Sequence, residues 1–187
     1  MKRSWIVTAV VAIVAAVFAV WLLRSGGGAT AIDLIHEFPN ATIKKPQPDV
    51  FSIVDATIAG VGHKAIFTSE PSRIAWQVNV PENAWLKLSL GLKEQAWTMQ
   101  GDGVLFQIGI SNHKTYEELL RLDVNPFGEP ADRQWKDLTL DLSPYAGQNV
   151  DLIFNTYSSM PPAAGQAPKD DRNGDMPLWG DPRIVVR

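Results

Sequence analysis

The sequence predicts an all-β antiparallel sandwich preceded by one transmembrane α-helix, and three observations carry that prediction. From Trp5 to Leu23 about 19 residues run without a charge, enough at 1.5 Å per residue to cross a bilayer core of ~30 Å. Beyond Ser25-Gly26-Gly27-Gly28, apolar residues recur with period two in short segments punctuated by Gly and Pro. No segment after residue 28 carries apolar residues at helical spacing over three turns.

The apolar stretch divides the chain. Residues 1–4 precede it, 5–23 form the span, 24–31 read as a Gly-rich linker, and 32–187 form one β-domain of roughly 155 residues, large enough for its own core. Trp5 and Trp21 mark the two membrane interfaces, where amphipathic rings settle. Lys2 and Arg3 precede the span and only Arg24 follows it. The positive-inside rule therefore predicts a cytoplasmic N-terminus and a periplasmic or other extracytoplasmic domain, anchored in a bacterial inner membrane. A cleaved signal peptide ending at Ala29-Thr30-Ala31 is the competing reading, but the apolar run exceeds the usual h-region of about 7–15 residues. The span holds no His, Asp, Glu, Lys or Arg, so it offers no pigment ligand and no proton relay. Its Ala-rich middle suits close packing against other helices.

The strands follow in order. Phe51–Ile58 is the first, closed by Gly60 and Gly62; Ala65–Phe67 follows and stops before Pro71. Arg73–Val80 alternates up to Pro81. In Ala84–Leu92, Leu86, Leu88, Leu90 and Leu92 face one way and Trp85, Lys87 and Ser89 the other. Gly103–Ile110 reads as a core strand. Tyr116–Val124 fits a strand or a short helical turn, because Glu117-Glu118-Leu119-Leu120 breaks the alternation. Trp135–Leu142 alternates most cleanly, with Trp135 expected to cap one end of the sandwich. Asn149–Tyr157 returns with Leu152 and Phe154 inward, a long loop covers 158–181, and Ile184–Val186 ends the sheet.

The run Trp135-Lys136-Asp137-Leu138 followed by Asp141-Leu142-Ser143-Pro144-Tyr145-Ala146-Gly147-Gln148 and Val150-Asp151-Leu152-Ile153-Phe154 resembles a signature of galactose-binding-like jelly-roll domains. Trp179-Gly180-Asp181-Pro182 resembles the end of such modules. The resemblance covers 32–187 and implies a jelly-roll-type antiparallel β-sandwich, in a family that includes carbohydrate-binding modules and domains that bind only protein.

Composition narrows the chemistry. With no Cys there is no disulfide, thiolate nucleophile or thiolate metal site. Setting aside Lys2, Arg3 and Arg24 leaves 14 basic against 20 acidic residues, an acidic domain with no basic stripe for nucleic acid. His36, His63 and His113 lack metal-ligand spacing, and no nucleophile elbow, phosphate loop or dinucleotide motif is present, so a non-enzymatic role is expected. Trp85 and Trp97 are the aromatic ligand-binding candidates, able to stack on a sugar face or to cover a protein interface. Asp171, Asn173 and Asp175 begin a D-x-N-x-D calcium pattern, but Met176 replaces the Gly and Pro182 the closing Glu. A solvated loop competes with a structural calcium there, and no other cofactor is expected.

Three readings remain, of which an enzyme of unrecognised type is the least favoured, and two functions lead. One is a non-catalytic accessory subunit of a larger membrane complex, contacting integral membrane proteins and lipid through its helix and β-domain; a photosynthetic reaction centre with its antenna is one such setting. The other is a membrane-tethered carbohydrate-binding module of the cell envelope.

Overall fold

A computed structural model describes residues 29–69, 71–158 and 172–187. The predicted span at 5–23, with Trp5 and Trp21, lies outside them, and among the described residues no helix is long and apolar enough to cross a membrane. The described chain is all-β, with short 3-10 turns between strands.

Eleven strands make two antiparallel sheets: β1 (Ala29–Asp33), β2 (Ile43–Lys45), β3 (Phe51–Ile58), β4 (Val61–Thr68), β5 (Ser72–Asn79), β6 (Ala84–Leu92), β7 (Val104–Ser111), β8 (Tyr116–Val124), β9 (Lys136–Asp141), β10 (Asn149–Ser158) and β11 (Pro177–Val186). The first sheet runs β3-β4-β11-β6-β9 with β1 beside β11, and the second runs β2-β5-β10-β7-β8. The pairing of β1 begins with Ala29 opposite Val186, inside the stretch the sequence reads as linker.

The leucine face of β6 and the Leu152/Phe154 face of β10 meet in the core, as their alternation predicts. Trp179 on β11 sits at its centre, edge-on to Phe106 at 4.9 Å and tilted against Phe154 at 4.6 Å. Trp76 closes the same cluster and donates Nε1–H to the Glu37 carbonyl at 3.0 Å, which satisfies its polar edge.

Local chemistry explains where boundaries depart from the sequence reading. Ala59 and Gly60 both take positive φ, +50° and +79°, and make the two-residue hairpin between β3 and β4, so Gly62 lies inside β4. Tyr116–Val124 is a strand. A bulge opposite Ile108/Gly109 inserts Leu119, so Leu119 and Leu120 both pack on the core; that is why the segment looked helical. β11 starts at Pro177, well before Ile184, and a bulge between Gly180 and Arg183 accommodates Pro182 and the positive φ of Asp181.

Trp135 does not cap an end of the sandwich. It precedes β9, and its ring lies across the outer face of the six-stranded sheet in a groove left by Gly91 and Gly180. A Cβ on Gly180 would meet the ring at 3.0 Å, and one on Gly91 would meet it at 3.3 Å. Its Nε1–H donates to the Val61 carbonyl at 2.9 Å. Ile58, Ala65, Leu178 and Trp97 complete this small second core.

Candidate functional site

The outer face of the five-stranded sheet carries the densest polar network of the described residues. Strand alternation turns Arg73 outward from β5, Asn155 and Tyr157 from β10, and Gln107 and Gly109 from β7, while their neighbours fill the core. Register then aligns one residue from each strand in a row: Lys45, Arg73, Asn155, Gln107 and Arg121. At ~4.8 Å per strand the row spans ~19 Å.

The row is bonded together. Arg73 Nε donates to Asn155 Oδ1 at 2.7 Å, and Asn155 Nδ2 donates to Gln107 Oε1 at 3.0 Å. The Tyr157 hydroxyl donates to the same Gln107 oxygen at 3.2 Å. Gln107 Nε2 donates to Glu118 Oε2, and Arg121 grips both Glu118 oxygens at 3.1 and 2.9 Å. These bonds hold the Glu118 carboxyl below the usual carboxylate range, Arg121 first and Gln107 second. Gln107 and Asn155 are buried, 8% and 1% exposed, although they face away from the core. Each amide is fixed in orientation by partners on both sides, which makes the row a preorganised hydrogen-bonding surface.

Aromatic rings flank it. Tyr116 is 50% and Tyr157 39% exposed. The Tyr116 ring lies over Gly109, where any side chain would collide with it. Burial, and then the Glu118 charge, push the Tyr116 phenol above its ordinary pKa, so its hydroxyl keeps its proton. At the β2–β5 end a cleft of about 290 Å³ opens, lined by Lys45, Pro46, Pro71, Ser72, Arg73, Asn155, Thr156 and Tyr157.

The residues singled out from sequence lie elsewhere. Trp85 is half-buried on the outer face of β6, with the Arg187 guanidinium 5.1 Å above its ring. Trp97, in the 3-10 turn Glu94–Thr98, packs half-buried into the Trp135 cluster, and its Nε1 is buried with no hydrogen-bond partner among the described residues. Trp97 packs with Trp135 over Gly91, six residues along β6 from Trp85, ~20 Å at 3.3 Å per residue, so the two rings do not share one patch. Of the calcium candidates, Asp171 lies outside the described residues. Asn173 donates its amide to the Gln100 carbonyl, and Asp175 is buried. Among the described residues no three His, Asp or Glu side chains gather as a metal site. His63 Nδ1 pairs with Asp181 Oδ2 at 2.6 Å, while Ser89 donates to Asp137, so the two pairs do not combine into a nucleophile–base relay. The outward row was legible in the polar phase of β5, β7 and β10; what was missing was the register that aligns them.

No protein-family model matches the chain. A curated relative, an uncharacterized protein of Archaeoglobus fulgidus, is 35% identical over 109 residues, 58% of this chain and 25% of the relative. The chain thus spans about a quarter of the length of the relative it matches. Among solved structures, the CBM51-2 and INT domains of Clostridium perfringens ZmpB share the fold with a TM-score of 0.51 and 13% identity, over 79% of this chain and 30% of that one. TmCBM61, solved with β-1,4-galactotriose, gives 0.48 at 10% identity over 78% and 88% of the two chains. CBM51 from Clostridium perfringens GH95, solved with methyl-galactose, gives 0.46 at 17% identity over 76% and 86%. The first of these likenesses carries the fold, an antiparallel β-sandwich, and nothing about a ligand.

Proposed function

We propose that the β-domain is a non-catalytic carbohydrate-binding module, and that the outer face of the five-stranded sheet is its sugar platform. The observation that supports this is the bonded row Arg73–Asn155–Gln107–Glu118–Arg121 with exposed Tyr116 and Tyr157 beside it. A sugar ring has apolar C–H faces and a rim of hydroxyls, each both donor and acceptor. Such a ligand needs fixed amide, guanidinium and carboxylate groups at its rim and an aromatic face against its ring. The row supplies the first and the tyrosines the second. Its length suits an oligosaccharide better than a single sugar. The neighbours solved with methyl-galactose and galactotriose are named as carbohydrate-binding modules, which agrees with this reading.

Nothing in the described residues adds to the reading as an accessory subunit of a membrane complex. In the proposed role the apolar stretch at 5–23 tethers the module, and alkaline carbonate, which strips peripheral proteins but not spanning ones, tests that part separately.

Calorimetric titration of the full chain in mild detergent against a panel of oligosaccharides tests the function. Tyr157→Ala is expected to weaken the affinity about tenfold, the size of a well-placed aromatic contact. Binding unchanged by both Tyr157→Ala and Tyr116→Ala would move the site off this face.

A further inference from the structure

Resting on the sugar-binding reading, we infer that the ligand is an acidic glycan, and that Lys45 and Arg73 hold the carboxylate of a uronic acid residue in the cleft at the β2–β5 end. Lys45 and Arg73 are direct cross-strand partners. Like charges in that position repel. The described lining of the 290 Å³ cleft contains both cations and no carboxylate. The carboxylate of the row, Glu118, lies three strands from Arg73 and is already bound by Arg121 and Gln107. Among the described residues the row is thus self-neutralised at its β8 end and carries two positive charges without a carboxylate beside them at its β2 end.

The geometry of Arg73 sharpens the point. Its Nε is committed to Asn155 Oδ1 at 2.7 Å, and Asn155 is itself fixed by Gln107. This chain of bonds orients the guanidinium at the cleft lining, and among the described residues no hydrogen bond or ion pair engages its terminal nitrogens. Two terminal N–H groups in one plane match the two oxygens of a carboxylate. Lys45, the exposed cross-strand partner of Arg73, adds a second positive charge to the same lining. Tyr157 lines the same cleft and offers its ring beside the anion. Neutral hydroxyls would leave the two cations facing each other without relief; an anionic sugar removes that repulsion and uses the oriented fork.

The test is a titration of the full chain in mild detergent with tri-galacturonate, its neutral methyl ester and a sulfated trisaccharide. The expected result is that tri-galacturonate binds at least about tenfold more tightly than the ester, as for a charge-assisted bidentate contact. That preference should shrink as salt rises. Lys45→Gln, an exposed change that leaves the bonded chain from Arg73 to Arg121 intact, should lower tri-galacturonate affinity about threefold and that of the ester by less. Arg73→Gln should abolish the preference. Preference for the sulfated sugar over the carboxylate would overturn the uronate assignment. Equal binding of acid and ester, unchanged by Lys45→Gln, would overturn the anion site while leaving the sugar-binding module standing. No binding of any glycan across the wider panel would remove both.

Discussion

The Gln107–Asn155 bond can be isolated by replacing each residue with Leu, singly and together. In Gln107→Leu, Asn155 Nδ2 loses its acceptor at a site only 1% exposed, where water cannot replace it. A buried donor left without a partner costs about 1–3 kcal/mol. Tyr157 is well exposed and can turn its hydroxyl to solvent, and Glu118 keeps Arg121, so neither adds much. The expected destabilisation is therefore about 2 kcal/mol, or a fall in Tm of about 4–8 °C for a domain of this size. Asn155→Leu should cost somewhat less, because exposed Arg73 rehydrates and the Gln107 oxygen keeps Tyr157. In the double variant both ends of the bond are gone. Its cost should be close to that of Gln107→Leu alone, giving a coupling of about 1 kcal/mol or more. Urea unfolding of the four proteins, followed by circular dichroism, measures it. Costs that add to within about 0.5 kcal/mol would mean that the two amides act independently, and the preorganised row would be refuted.

Three further outcomes are expected. Trp135→Ala should destabilise the domain by about 3–4 kcal/mol, because it empties the groove over Gly91 and Gly180 and strands the Val61 carbonyl, whereas Trp135→Phe should cost less; equal losses in thermal unfolding would contradict the packing role. The Tyr145 phenol is pushed up to about 12 by burial and then by its bond to Glu117, so one of the three tyrosines should titrate that late in an ultraviolet pH titration, and Glu117→Gln should bring it down. A phenol with a raised folded pKa favours the folded state below its unfolded value, about 10, and that stability fades as pH climbs toward 12; a pH–stability curve flat through that window would count against the assignment. Trp85→Ala should cost about 0.5–1 kcal/mol through loss of the Arg187 contact and leave glycan affinity within twofold, as should Trp97→Ala; a large affinity loss in either would relocate the sugar site to the six-stranded sheet.

The sandwich was legible wherever alternation was clean and bounded. β6, β9 and β10 could be read from their leucines, valines and phenylalanines, and the inward phase of each was right. β8 was ambiguous because its bulge places two consecutive leucines on one side, and no local pattern announces a bulge that the partner strand imposes. The place of Trp135 is hidden from the sequence because its covering role depends on Gly91 and Gly180, on two strands that the sequence keeps far apart. The candidate site failed to appear for a related reason. Trp85 and Trp97 stand out as large aromatics, but Lys45, Arg73, Asn155, Gln107 and Arg121 are ordinary polar residues until strand register sets them side by side.

The pairing of Ala29 with Val186 places the start of β1 and the finish of β11 one strand spacing apart, ~4.8 Å, on a single rim of the six-stranded sheet. A unit whose two ends leave side by side can be spliced into a surface turn of a host polypeptide without prying that turn open. It can equally hang from one stalk while its opposite sheet, with the Arg73–Arg121 row, faces outward. The same architecture suits either a spliced-in unit or a pendant one.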